Sequence, residues 1–228
     1  FVKSLCESLG VRLTVSRADV LSRCKQTGES VEEAARVLRY QFFESLRKPV
    51  ATAHTQDDNL ETVLLNLVRG TALRGLCGIP PKRERLLRPM LPCSRAEIEA
   101  YLKEHALSYV TDSSNLLPDI RRNRLRQRVI PLLREENPAV AQTVFRTCAL
   151  LRADNAFLDA QAREALQAAQ LPDGVSRSAL SAWPEAVRTR AVRLLLESIH
   201  APKLTQRHID AVDRLLFASC PSASVSLP

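Results

Sequence analysis

The sequence predicts an α/β fold: a parallel sheet with helices on both faces, then a long linker helix and a small α-helical domain. Three observations predict it. Short β-branched runs alternate with amphipathic stretches up to about residue 136. From Asn137-Pro138 a helical pattern runs without a breaker to about Gln170, roughly 50 Å at 1.5 Å per residue. Beyond Leu171-Pro172-Asp173-Gly174 only helical patterns return. The expected division is therefore 1–136, 137–170 and 171–228.

In chain order, residues 1–10 read as the end of a helix (Val2, Leu5, Cys6, Leu9) closed by Gly10. Val11–Val15 alternates and reads as a strand, and residues 20–29 read as a polar loop. Ser30 with Glu33 opens a helix to about Leu46, with Val31, Ala34, Ala35, Leu38 and Phe42 inward. A strand over 49–53 and a helix over 57–68 follow. Residues 69–79 form a glycine-bearing loop, and residues 80–93 a connection rich in proline and basic residues. Ser94 with Glu97 opens a helix carrying Ile98, Tyr101 and Leu102 inward, and a strand is expected near Leu107–Thr111. A helix after residue 121 would bury Leu125, Val129 and Leu132. Helices at about 184–199 and 205–217, with Trp183 as a core anchor, complete the chain before a frayed tail at 218–228.

Composition narrows the function classes. Thirty-three basic residues against 25 acidic give a net charge of +8 and suit an anionic partner, nucleic acid first. Six cysteines show no C-x-x-C spacing, which argues against a zinc or redox motif and fits reduced thiols in a cytoplasmic protein. No apolar run approaches the ~18 residues of a membrane span, so no membrane partner is expected. Phe1 and the abrupt end at Ser226-Leu227-Pro228 suggest a fragment trimmed at both ends.

The chemistry concentrates in Pro49–Thr62. His54 stands at the carboxyl end of the expected strand, the edge where open α/β sheets bind ligands. Thr55 with Asp58 reads as a capping box, and Asp57, Asp58 and Glu61 share the first turn of the next helix. Such a group suits Mg²⁺, with Asp57 as a ligand, or an amine. Acids in a first turn also serve simply as dipole partners, at about 0.3–1 kcal/mol each, and spacing alone does not choose. Arg69, Gly70 and Arg74 suit phosphate through guanidinium and backbone N–H groups, although ordinary turns also need glycine. Asp112-Ser113-Ser114-Asn115 reads as an Asx-type turn, and residues 121–128 contain five arginines, dense enough to favour polyanion contact.

H-x-x-D-D-x-x-E-T at 54–62, followed by Arg69-Gly70, resembles the tRNA(Ile)-lysidine synthetase family of the N-type ATP-pyrophosphatase (PP-loop) superfamily. So do Ser30-x-x-x-Ala34-Ala35-Arg36-x-x-Arg39-Tyr40 and D-x-x-N followed by R-N-x-x-R, at 112–126. The family usually has glycine where Ala72 stands. Its S-G-G-x-D-S phosphate-binding turn is not found in these residues, so this chain alone is expected not to turn over ATP.

The resemblance implies a Rossmann-like, N-terminally truncated PP-loop domain and a helical tRNA-binding unit. It implies ATP and Mg²⁺, free L-lysine, and an isoleucine tRNA with a CAU anticodon. ATP would adenylate C2–O of the wobble cytidine, and lysine would displace AMP. On this reading Asp58 is the base, and Glu61 holds an ammonium of lysine. Arg36 and Arg122 serve the lysine carboxylate or the adenylate. His54, Asp112, Asn115 and Asn123 position substrate, and Arg69, Gly70, Arg74, Arg121, Arg124 and Arg126 contact nucleotide or tRNA. A homodimer is compatible with this reading. Two rivals stay open: a tRNA 2-thiolation enzyme, disfavoured by the lack of paired cysteines, and a non-catalytic basic RNA-binding module.

Overall fold

Side-chain caps at Asp19, Ser30, Ser94 and Ser176 open four of the described helices. The computed structural model describes residues 1–110, 121–199, 204–220 and 222–227. Two units emerge: residues 1–69 with 78–145, and residues 70–77 with 146–228.

The first unit starts with α1 (Val2–Ser8), α2 (Val20–Thr27) and α3 (Val31–Ser45). Val11–Val15 forms no strand: alternation makes a strand only where a neighbour supplies ladder partners, and Val11, Leu13 and Val15 are exposed. The expected loop at 20–29 is instead α2. Asp19 accepts the Ser22 N–H at 3.0 Å at its start, and Gly28 closes it at φ 70°. Ser30 accepts the Glu33 N–H at the head of α3. Ala34 of α3 is fully buried, whereas Val31, expected inward, is exposed because it lies in the first turn.

Next come β1 (Val50–Ala51) and α4 (Gln56–Arg69). Leu60 is buried, while Leu67 and Val68, seven and eight residues later on the same helix, are exposed. After α5 (Leu73–Leu76), which clusters with the second unit, the chain re-enters the first with β2 (Lys82–Arg83) and β3 (Leu86–Leu87). The expected irregular connection therefore holds a hairpin. Its strands complete a three-stranded sheet of order β1-β3-β2, with β1 parallel and β2 antiparallel to β3. The described sheet is thus small and mixed.

Then follows α6 (Arg95–Glu104), opened by a full Ser94–Glu97 capping box. Its Tyr101, expected inward, is exposed and stacks on His105 with ring centroids 4.1 Å apart. Leu107–Val110 form no strand and are exposed.

α7 (Arg121–Arg124) leads through a π-helical turn at Leu125–Val129 into α8 (Ile130–Glu136). Pro131 explains the wide turn: it has no N–H for the carbonyl four residues back, and its ring crowds that carbonyl. The extra residue rotates the downstream face. Ile130 and Asn123 are buried, whereas Val129 and Leu132, expected inward, are exposed.

α9 (Val140–Ala168) belongs to the first unit up to Phe145 and to the second from Arg146. Asn137 caps its approach by accepting the Ala139 N–H at 2.9 Å. In the second unit, β4 (Gln170–Leu171) and β5 (Gly174–Val175) form a hairpin around Pro172-Asp173. α10 (Arg177–Ser181), α11 (Glu185–Ser198) and α12 (Gln206–Leu215) follow. Their core joins Ala162, Ala165, Leu180, Ala191, Leu196 and Ile209, with Trp183 packed against it. Arg188 donates to both oxygens of Asp213, at 2.7 and 3.0 Å, and ties α11 to α12. The tail, expected frayed, returns Leu227 to this core.

Candidate active site

The parallel β1–β3 pairing sets the carboxyl edge of β1 beside the start of α4, and the intervening residues carry the site. The Thr52 N–H donates to Leu87 O, and Thr52 Oγ1 lies 2.9 Å from His54 Nδ1, which fixes the imidazole. Burial lowers the His54 pKa. The Asp58 carboxylate opposes that, and the guanidiniums of Arg88, Arg122 and Arg39 depress it further. His54 is therefore a neutral imidazole near pH 7.

Asp58 belongs to the expected capping box. Its Oδ2 accepts the Thr55 N–H at 2.9 Å and the Thr55 hydroxyl at 3.1 Å. Its Oδ1 accepts Arg122 Nη2 at 3.1 Å. Glu61, one turn on, is almost fully buried, and such a charge persists only when paired. Arg122 Nε donates to its Oε2 and Arg126 Nε to its Oε1, each at 2.5 Å. Hydrogen bonding to Glu61 raises the Arg126 pKa above its ordinary value. Asp58, Glu61, Arg122 and Arg126 thus form one charge-balanced cluster, joining α4 to α7 and the π turn.

Asp57 lies outside this cluster. Its Oδ2 accepts the Arg95 N–H at 2.7 Å, at the start of α6, and its Oδ1 accepts Arg134 Nη2 from α8 at 2.5 Å. Both oxygens of this residue, expected as a metal ligand, are engaged in joining three helices. Among the described residues no group of three His, Cys, Asp or Glu side chains is arranged to hold a metal ion.

Two cavities meet at Ala53 and Asp58. The smaller, about 280 Å³, is lined by Arg39, Tyr40, Phe43, Thr52, Ala53, His54 and Asp58. The larger, about 1070 Å³, is lined among others by Asp57, Glu61, Ile98, Tyr109, Arg126 and Arg134. The expected Arg36 does not line either. Its guanidinium lies 5.6 Å from the Tyr40 ring centroid, and Arg39, one turn on, reaches the smaller cavity instead. The signal for Arg39 was its place beside Tyr40 and ahead of Phe43, both of which line the same cavity.

The remaining expected site residues divide clearly. Asn123 is buried on α7, and Arg121 and Arg124 are exposed. Arg126 pairs with Glu61 and lines the larger cavity. Arg69 is exposed at the end of α4. Gly70 (φ 78°) and Arg74 belong to the second unit, where Arg74 pairs with Glu197 at 3.4 Å. A Cβ at Gly75 would fall 1.8 Å from Thr71 Oγ1, so that glycine makes room for its own loop. Ala72, at φ −87° and ψ −176°, has ordinary extended backbone and needs no glycine. Asp112 and Asn115 lie outside the described residues.

A parallel β edge, an acid-bearing helix start and facing arginines suit a class of nucleotide-using domain. The chain belongs to the PP-loop domain family, which matches residues 1–133. The TilS substrate binding domain matches residues 176–228. Among named proteins, the chain is similar to the bifunctional protein TilS/HprT of Listeria monocytogenes serotype 4b (strain F2365). That similarity is 36% identity over 245 residues, covering all of this chain and 38% of that protein. The tRNA(Ile)-lysidine synthase of Porphyromonas gingivalis (strain ATCC BAA-308 / W83) is 46% identical over 153 residues, covering 64% of this chain and 34% of that protein. The tRNA(Ile)-lysidine synthase of Geobacillus kaustophilus (strain HTA426) is 35% identical over 244 residues, covering all of this chain and 53% of that protein. The chain thus spans 34–53% of the length of these relatives.

Proposed function

We propose that this chain carries the lysine-transfer side of a tRNA(Ile)-lysidine synthase, which joins L-lysine to C2 of the wobble cytidine in a CAU-anticodon tRNA(Ile). The observation that carries the reading is the presence, in one chain, of a PP-loop domain match and a TilS substrate binding domain match. The first brings ATP as co-substrate, and the second is the region proposed to engage tRNA outside the anticodon. The exposed Arg121 and Arg124 offer further phosphate contacts. In a longer protein that contains this chain, the small sheet would extend into a parallel sheet with helices on both faces. Such a protein is proposed to act in the cytoplasm.

Adenylation makes C2 of the cytidine electrophilic by turning its oxygen into a good leaving group. The ε-amine of lysine must then lose a proton before it attacks C2 and AMP departs. Asp58 is the proposed acceptor of that proton, through Oδ1: Oδ2 is committed to Thr55, and the side chain keeps 27% of its exposure. Glu61 is nearly fully buried, so its proposed part is electrostatic: it orients Arg122 and balances the guanidiniums. The smaller cavity offers one cation, Arg39, and one anion, Asp58, which suits an amino-acid zwitterion. Neutral His54 gives that cavity a wall with hydrogen-bonding capacity. Arg122 is proposed to meet the adenylated or lysine-bearing substrate where it bridges the two acids.

Among the described residues no group of three His, Cys, Asp or Glu side chains is arranged to hold Mg²⁺, and both oxygens of Asp57 engage protein partners.

The test is lysine-dependent AMP release with CAU-anticodon tRNA(Ile), by a longer protein that contains this chain and supplies a phosphate-binding turn. One lysidine formed per AMP released is expected. AMP release without lysine incorporation contradicts the reading. Residues 1–228 alone are expected to show no ATP–pyrophosphate exchange, and robust exchange would refute that part.

A further inference from the structure

Arg88 is a buried cation that the chemistry above does not use. It follows β3, and the parallel register that sets Val50 against Leu86 and Ala51 against Leu87 continues to Thr52 against Arg88. Neighbours in register share a face of the sheet, so Arg88 lies on the face of Thr52, whose hydroxyl fixes His54. Only 6% of Arg88 is exposed. Its Nη1 donates to Pro80 O at 2.7 Å, and its backbone N–H donates to Pro81 O at 2.9 Å. Its Nε is buried without a hydrogen-bond partner among the described residues, and no described carboxylate pairs with the guanidinium.

A charge is seldom buried without a counter-charge, because desolvation opposes it. A guanidinium cannot escape by losing its proton. Pinned through Pro80 and Pro81, Arg88 therefore keeps a fixed positive potential behind the wall that Thr52 and His54 give the smaller cavity. Burial lowers the His54 pKa most, and among the guanidiniums Arg88 lowers it ahead of Arg122 and Arg39. The charged and titratable groups around His54 are Arg39 and Tyr40 from α3, Asp58 from α4, Arg122 from α7, and Arg88. Asp58 and Arg122 are paired with each other. Arg39 on the cavity lining and Arg88 behind it remain as positive charge that no described acid cancels.

We propose that Arg88 is a specificity-determining residue of the smaller cavity: an uncompensated cation behind its wall that makes a carboxylate a required part of any amine the cavity accepts. A diamine without a carboxylate adds positive charge beside three guanidiniums and is rejected. An amino acid brings its carboxylate toward Arg39 and Arg88 and an amine toward Asp58. The inference rests on the amino-acid reading of this cavity, but not on the transfer of lysine to RNA.

The test follows the His54 ring resonances of residues 1–228 by NMR during titration with three probes. These are L-lysine, cadaverine (lysine with hydrogen in place of the carboxylate) and L-norleucine (the carboxylate without the side-chain amine). L-lysine should bind about tenfold or more tighter than cadaverine. Arg88→Gln, which keeps a donor for Pro80 O, and Arg88→Met should each weaken L-lysine about tenfold and leave cadaverine no weaker. Arg88→Lys, which keeps the charge, should restore the preference. In the two neutral variants His54 should also titrate at higher pH than in the unmodified chain, since removing a cation favours imidazolium. Circular dichroism should show unchanged helicity. Equal binding of L-lysine and cadaverine by the unmodified chain overturns the proposal, as does binding of none of the probes. A preference unchanged in both neutral variants overturns it too. Equal weakening of L-lysine and cadaverine in those variants assigns Arg88 a merely structural role and also overturns it. Arg88-dependent binding of L-norleucine, with no lysine transfer by a longer protein, supports this proposal and removes the lysine-transfer reading.

Discussion

At the scale of single residues, Glu61 is the side chain under most constraint. It is buried with two guanidiniums on its carboxylate, whereas both arginines keep more than a quarter of their exposure. Removing its charge strands two cations, although water reaches them in part. Glu61→Gln should therefore cost about 2–3 kcal/mol in urea unfolding, below the 3–5 kcal/mol typical of breaking a fully buried pair. Arg126→Met, which leaves Glu61 paired with Arg122, should cost less. His54 gives a pH signature. Burial lowers its folded pKa, so below the unfolded value of about 6.5 the unfolded chain takes up the proton more readily. The stability that neutral His54 contributes is full above that pH and is lost as the pH falls through the folded pKa. His54→Asn should flatten this acid-side slope in unfolding curves taken between pH 5 and 8.

At the scale of elements, capping chemistry was the most legible feature of the sequence. Thr55–Asp58 and Ser94–Glu97 form the expected boxes, and Ser30 caps α3 as its spacing says. Asp19 and Gly28 carried the same information for α2, but the polar character of residues 20–29 concealed it. Two-residue strands leave almost no periodicity, so the β2–β3 and β4–β5 hairpins were not readable as such. Pro131 held the clue to the π turn, yet regular α spacing misassigned the inward face to Val129 and Leu132. Arg126, proposed from sequence as a nucleotide or RNA contact, also pairs with Glu61, beside Arg122 four residues earlier. Asp57 acts at the element scale, tying the starts of α4 and α6 to α8. Asp57→Ala should cost about 1–2 kcal/mol in unfolding, through loss of charge-assisted hydrogen bonds to α6 and α8. Calorimetry of the full protein should find Mg²⁺ affinity unchanged by it.

At the scale of the whole molecule, the net charge of +8 suits the polyanion proposed as partner. Binding of the full protein to CAU-anticodon tRNA(Ile) should weaken steeply with salt, linearly in log K against log[salt]. Arg121→Gln with Arg124→Gln should reduce that slope by about 1–2, as each lost phosphate contact removes close to one unit. An unchanged slope would remove these arginines from the RNA interface. The candidate site was legible as a constellation, because His54, Asp58, Glu61 and Arg122 come from short motifs that the β1 edge, α4 and α7 bring together. Its internal bookkeeping of charge was not, since which arginine meets which acid depends on helix phase across sixty residues of sequence separation.

The most direct measurement is the rate of the two half-reactions in an Asp58→Asn variant of the full protein, followed by rapid quench. The account predicts adenylate formation within a few-fold of the unmodified protein and lysine transfer slowed about 10²–10⁴-fold, the usual contribution of a positioned base. Equal losses in both steps, or an unimpaired transfer step, would contradict it.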